Sequence, residues 1–277
     1  MTAAAAPVDA AALCADEVKR HDFPAYAATL FTDPPTRRAL LALYAFAGEV
    51  ATVRDHVSQP MPGEIRLQWW ADALTGQGHG GVEGHPVAAE LKRAIAAFDL
   101  PVGELTRIIE AWRIDLYDEP IPDLAALEAF VGDTSSALIA LAARICSPHD
   151  EPPANLSRHA GLALGLAQAI TQLPRHAAQG RLYLPRDLLA LNSVAAEEVF
   201  AGRTPPGLQA VVAYLAHEAE QHLAAVTAPP AALRPALLPL ALARKTLARL
   251  RRVEFDPFRL APPSRLSVLW TYWQAGS

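Results

Sequence analysis

Glycine is scarce in this 277-residue chain, at 15 positions, and no stretch alternates apolar and polar residues between turn signals. A β-rich fold uses both, so strands are not expected. Cysteine is scarcer still: Cys14 and Cys146 stand far apart, without the spacing of a metal site. They read as two inert thiols in a reducing compartment. Positive charge is also short. With Lys+Arg 24 against Asp+Glu 29, the formal charge of -5 leaves no electrostatic footprint for nucleic acid. No apolar run in the sequence approaches the roughly 18 to 20 residues that span a bilayer. The N-terminus, "MTAAAAPVDAAALCADEVKR", carries acids early and has no basic start, unlike a secretory signal. The expected location is the cytoplasm, at most peripheral to the inner face of the cytoplasmic membrane.

Apolar residues are what the chain has in quantity. Hydrophobic residues make up 52% and charged residues 19%, a balance that fills a globular interior. Ala and Leu, strong helix formers, recur throughout. The spacing predicts helices over about 8–20, 24–31, 36–57, 63–76, 86–98, 101–117, 123–145, 155–173, 205–228, 235–253 and 262–274. The breaks "SQPMPG", "TGQGHGGVEGHP", "CSPHDEPPAN" and "AGRTPPG" have the length of ordinary helix connections. None reads as an interdomain linker. One all-α domain over residues 1–277 is expected, with residues 1–15 poorly ordered.

In "DTSSALIALAARI", Asp133 or Thr134 is placed to cap a helix whose apolar stripe is Ala137, Leu138, Leu141, Ala142 and Ile145. In "GLALGLAQAITQLP", Gly161 and Gly165 lie four apart on one face, where the missing side chains let another helix come close. Pro174 must kink or end the helix before it. Trp69 and Trp70 are adjacent and point to different sides, so at most one is expected to line a cavity. His79 and His85 flank the Gly-rich "HGGVEGH"; with no third ligand nearby, they read as a solvated loop. His217 and His222 miss the four-residue step of a helical metal pair and read as a solvated face.

Together, "DFPAYAATLF", "RRALLALYAFAGEVATVRD", "EIRLQWWADAL", "GLALGLAQAITQLPRHAAQGRLYLP" and "LPLALARKTLARLRRVEFDP" resemble the squalene and phytoene synthase family over roughly residues 20 to 260. The resemblance implies an isoprenoid synthase fold, many helices around a central apolar cavity whose entrance is framed by the segments carrying Asp55 and Gln172. In that family, facing helices present aspartates one turn apart. Carboxylates at i and i+4 share a face and grip Mg²⁺ ions that hold a diphosphate, and the metal neutralises the leaving group.

Laid on this chain, the first motif falls on Ala51, Thr52 and Asp55, and the second on Gln168, Thr171, Gln172 and His176. Gly48 stands where many members have an Arg that contacts the diphosphate. Only Asp55 survives. Gln is a weak, neutral ligand for Mg²⁺, and His prefers softer ions. No catalytic residue, metal or cofactor is therefore assigned. The alternative is an active head-to-head prenyltransferase of isoprenoid, carotenoid or hopanoid synthesis, with Mg²⁺ held by Asp55 and one of Asp72, Asp115 and Asp118.

The runs "GEVATVRDHVSQPMPGEIRLQWWADAL" and "QLPRHAAQGRLYLPRDLL" further resemble relatives of a mitochondrial complex I assembly factor of this fold. That resemblance implies a degenerate member that works with respiratory complex I subunits and holds a prenyl or lipid ligand. Asp55 reads either as a residual ligand for phosphate or metal or as a helix-end ion pair with Arg54 or Arg66. Arg54, Arg175, Arg181 and Tyr183 are candidates for direct anion binding at the cavity mouth, in a cationic patch with His176. From Arg234 to Arg265, eight cations stand against Glu254 and Asp256. That basic helix is expected either to end in solvent or to rest on anionic lipid.

Overall fold

The computed structural model describes residues 9–77, 81–82, 84–149, 153–227 and 229–276, and among these there is no strand. The helices are α1 (Ala10–His21), α2 (Phe23–Thr29), α3 (Pro34–Ala51), α4 (Pro60–Thr75), α5 (Pro86–Phe98), α6 (Val102–Ala111), α7 (Leu124–Val131) and α8 (Ala137–Cys146). They continue as α9 (Ala154–Thr171), α10 (Leu173–Ala178), α11 (Arg186–Leu191), α12 (Ala196–Phe200), α13 (Pro206–Ala225), α14 (Arg234–Arg252) and α15 (Arg265–Gly276). Carboxylates start several of them: Asp9, Asp22, Asp33 and Asp123 each accept first-turn N–H groups. One apolar cluster extends from Cys14 to Leu250; in it α9 lies along α13, and α3 packs with α1, α5 and α8.

Several predicted helices are shorter than their apolar pattern. The 36–57 segment is α-helical only to Ala51, and Val53–His56 tightens into a 3-10 turn. Trp112–Tyr117 does the same after α6. Pro174 ends α9 as expected and takes a first-turn position in α10, where its missing N–H costs nothing. The short α11 and α12 carry too few residues to show a helical period, and the sequence reading passes over both.

Asp133 and Thr134 cap nothing. They lie in a π-helical segment, Gly132–Ser136, that joins α7 to α8 without a break, and Asp123 is the cap instead. Thr134 donates to the Phe130 carbonyl at 2.7 Å, and Asp133 lies 3.8 Å from Arg107. The two glycines of α9 make room for the bulge. A Cβ at Gly161 would sit 2.1 Å from Ser136 Cα, and one at Gly165 would sit 2.2 Å from Val131 Cγ1. The joined helix Leu124–Cys146, 23 residues, is long and apolar enough to cross a bilayer by length and composition, which corrects the expectation that no such run exists. It buries Leu127, Val131, Leu141 and Ile145 against neighbours that include α9 and α6.

Candidate functional site

A cavity of about 1330 Å³ runs between α3, α4, α9 and α14, walled by side chains such as Leu127, Phe130, Leu138, Leu164 and Leu242. Asp55 and Gln172 both face it, with Ala51, Thr52, Gln168, Thr171 and His176. The expected frame is therefore in place. Its polar content differs from the expectation.

Asp55 pairs with neither Arg54 nor Arg66. The 3-10 turn carries it off the face of α3 toward α10, where Arg181 Nη2 lies 2.7 Å from Oδ1 and Arg175 Nη2 lies 3.1 Å from Oδ2. Gly180, at φ 70°, ends α10, and the N–H of Arg181 closes the turn by donating to the His176 carbonyl. Arg181 and Tyr183 both reach Asp115, Arg181 at 3.6 Å and Tyr183 by a hydrogen bond donated from its hydroxyl. Arg54 pairs with Asp118 at 3.1 Å and donates to the Val57 carbonyl. Arg175, Arg181 and Tyr183 thus form one cluster, and Arg54 flanks it. Three guanidinium groups meet three carboxylates, which corrects the expected cationic patch: the patch neutralises itself. Burial holds the Asp115 carboxyl above its usual range despite Tyr183 and Arg181.

His176 sits at the same mouth. Burial, with repulsion from Arg175 and Arg181, pushes its pKa down to about 4, so the ring is neutral at physiological pH. Its buried Nδ1 has no hydrogen-bond partner. Thr52 and Thr171 turn their hydroxyls back onto Gly48 and Gln168 of their own helices.

The donor set does not fit magnesium. Both oxygens of Asp55 face guanidinium groups, both of Asp115 face Arg181 or Tyr183, and the facing residues of α9 are neutral. Mg²⁺ takes an octahedron of hard oxygens. Among the described residues, no group of three or more His, Cys, Asp and Glu is arranged to hold a metal. Asp72 bonds Gln68 on α4 and stays outside the cluster.

A second polar spot was missed. Glu49, the lone acid of an otherwise apolar helical run, faces the cavity 3.5 Å from His85. Burial, reinforced by Glu17, pushes its pKa up to about 7. His85 is not a solvated loop residue, because its Nδ1 caps α5 by accepting from Ala88 N–H and its ring stands 4.9 Å from Trp69 and 5.4 Å from Trp70. Both tryptophans line the cavity, not one: the half-buried Trp69 ring stands edge-on 5.1 Å from the buried Trp70 ring, and the His85 ring lies against both. His79 lies outside the described residues. His217 is exposed as expected, whereas His222 turns inward, with Nδ1 2.9 Å from His159 Nδ1 and Nε2 3.5 Å from Glu128. The thiols are free, and burial pushes Cys14 to about 12 and Cys146 to about 11, which keeps both unreactive.

The profile of the squalene/phytoene synthase family matches residues 18–274. Complex I assembly factor 6 of Rattus norvegicus is 27% identical over 249 residues, 88% of this chain and 75% of that protein. A presqualene diphosphate synthase of Rhodopseudomonas palustris is 28% identical over 201 residues, 72% of this chain and 71% of that one. Among solved structures, squalene synthase HpnC of Alicyclobacillus acidocaldarius superposes with a TM-score of 0.74 at 22% identity, covering 91% of this chain and 98% of its own. A ligand-bound dehydrosqualene synthase gives 0.80 at 17% identity, covering 96% and 95%. With a helical cavity in the expected place and a profile match along nearly its whole length, this chain belongs to the squalene/phytoene synthase family.

Proposed function

We propose that this chain is a non-catalytic member of its family that holds a prenyl or lipid chain and works in the assembly of respiratory complex I. The observation that carries the loss of prenyl transfer is Arg181. Its guanidinium sits between Asp55 and Asp115, where carboxylates would otherwise be open to Mg²⁺. A fixed organic cation neutralises those acids but cannot travel with a leaving diphosphate. The cavity volume and apolar walls support a long hydrocarbon ligand. Similarity to assembly factor 6 along 88% of the chain supports the assembly role.

Deleting the gene tests the reading. Loss of NADH-dehydrogenase activity with normal isoprenoid content is the expected result, and the reverse pattern overturns it. One observation favours a second reading, a Mg²⁺-dependent head-to-head prenyltransferase. Asp115, one of the three carboxylates considered from sequence, does converge with Asp55 on one guanidinium. In this reading, an incoming metal-bound diphosphate would draw Arg181 aside.

A further inference from the structure

Part of the charge on the basic helix α14 is engaged with α13: Arg244 donates to the Leu223 carbonyl, and Arg251 pairs with Glu220. The helix beside it is different. On α15, Val268, Thr271 and Tyr272 are buried, while Leu266, Trp270 and Trp273 are 79%, 55% and 56% exposed. These three recur at i, i+4 and i+7, so they form one stripe pointing away from the protein. The indole rings lie 5.1 Å apart and cover each other only in part. Single exposed apolar residues need no explanation, but two tryptophans and a leucine on one stripe do.

The edges of the stripe are basic. Lys245 Nζ reaches Ser267 and Thr271 on one flank, and Arg249 holds the loop that leads into α15. Arg265 begins the helix, its guanidinium 4.8 Å from the Phe23 ring. Among the described residues, none of the three cations forms an ion pair with a carboxylate. Phe31, itself 38% exposed, lies against the C-terminal end of α15, extending the apolar surface.

We infer that this face of α15 docks on an anionic lipid surface, with Leu266, Trp270 and Trp273 at the headgroup level and Lys245, Arg249 and Arg265 over the phosphates. Tryptophan suits that depth, because its ring is apolar and its N–H is not. The cations supply charge complementarity to anionic lipid. A second copy of the chain is the poorer partner: a two-fold contact through this stripe would set the same three cations near their own counterparts. The same elements also bound the ligand cavity, through Pro24 of α2, Pro239 and Leu242 of α14, and Pro263 of the loop before α15. Docking here would bring one wall of the cavity to the membrane. The inference does not depend on whether the chain is catalytic.

The test is co-sedimentation of the full chain with vesicles of phosphatidylcholine alone or mixed with phosphatidylglycerol, with tryptophan quenching by brominated lipid as a second readout. Binding to the anionic vesicles and not to the neutral ones is expected. The Trp270→Ser/Trp273→Ser variant should lose about tenfold or more in partitioning. Replacing Lys245, Arg249 and Arg265 by Gln should lose about fivefold per cation. Leu191→Ser, at an exposed apolar position on α11, should bind as wild type. Far-ultraviolet dichroism and thermal melting check that each variant is folded. Absence of binding, equal binding to both vesicles, or undiminished binding by the folded tryptophan variant would overturn the inference. So would a dimer in ultracentrifugation that the tryptophan substitutions dissociate.

Discussion

Replacing Arg181 by Met should destabilise the fold and create a response to magnesium that the wild type lacks. Arg181 is 13% exposed, Asp55 19% and Asp115 6%, so the guanidinium is withdrawn from most of the solvent that would screen it. Removing one partner of a fully buried pair costs about 3–5 kcal/mol, because the remaining charge has no compensation. Here Asp55 keeps Arg175 and Asp115 keeps Tyr183, so we expect about 2–3 kcal/mol. At roughly 2–4 °C per kcal/mol for a chain of this size, the melting temperature falls by about 4–12 °C. Freed of their shared cation, the two carboxylates should then gain from Mg²⁺. A cation present at about a hundred times its dissociation constant stabilises by about 2.7 kcal/mol. Arg181→Lys keeps a charge but only as a point, and should recover part of the loss. Differential scanning calorimetry with and without MgCl₂ reads both effects. A change below about 2 °C in the Met variant, or Mg²⁺ raising the wild-type melting temperature as much as the variant's, would show that Arg181 does not hold the two carboxylates.

Gly161→Ala places a methyl against the backbone of Ser136, and overpacking of about 3 kcal/mol should exceed the helix-propensity gain of about 1 kcal/mol, lowering stability in chemical denaturation. Gly48→Ala, inside α3 with open space around the new methyl, should instead stabilise by up to about 1 kcal/mol, and a loss there would contradict the packing described. Glu49 has a folded pKa raised to about 7, so the stability it contributes is complete below its unfolded value and is lost as pH rises through about 7. Glu49→Gln should therefore melt closer to wild type at acid pH and above it at alkaline pH, and a gap that narrows with rising pH would refute the assignment. His176 acts in the opposite sense, its pKa being lowered to about 4: stability is lost as pH falls from the unfolded value through about 4, and His176→Phe should flatten that limb of the stability curve.

Local signals carried much of this structure. The three- and four-residue apolar steps place most of the long helices, Pro174 ends α9 where the missing N–H demands it, and Gly161 and Gly165 mark a close approach. What approaches them was not legible. A π-helical segment has no periodicity of its own, and "DTSS" reads as a cap because the same side chains suit caps. The 3-10 turn at Val53 was equally hidden, since the apolar pattern continues past the point where the α-helix stops. At the cavity mouth, the sequence names Asp55, Arg175, Arg181 and Tyr183 as candidates but not their pairing. Asp55 and Arg175 are 120 positions apart, and only the fold brings them together. His85 was misread because its role as a helix cap and its place against two indole rings depend on contacts with α4 and α5 that the Gly-rich sequence around it does not show.

In this protein a guanidinium holds the carboxylates that a metal would need. Calorimetric titration with a non-hydrolysable farnesyl diphosphate analogue, with and without Mg²⁺, tests it most directly. With Arg181 in place, Mg²⁺ should leave the titration unchanged, whether the analogue binds through its hydrocarbon chain or does not bind. Binding that requires Mg²⁺ would contradict it, by showing that Asp55 and Asp115 leave Arg181 to build a working metal site.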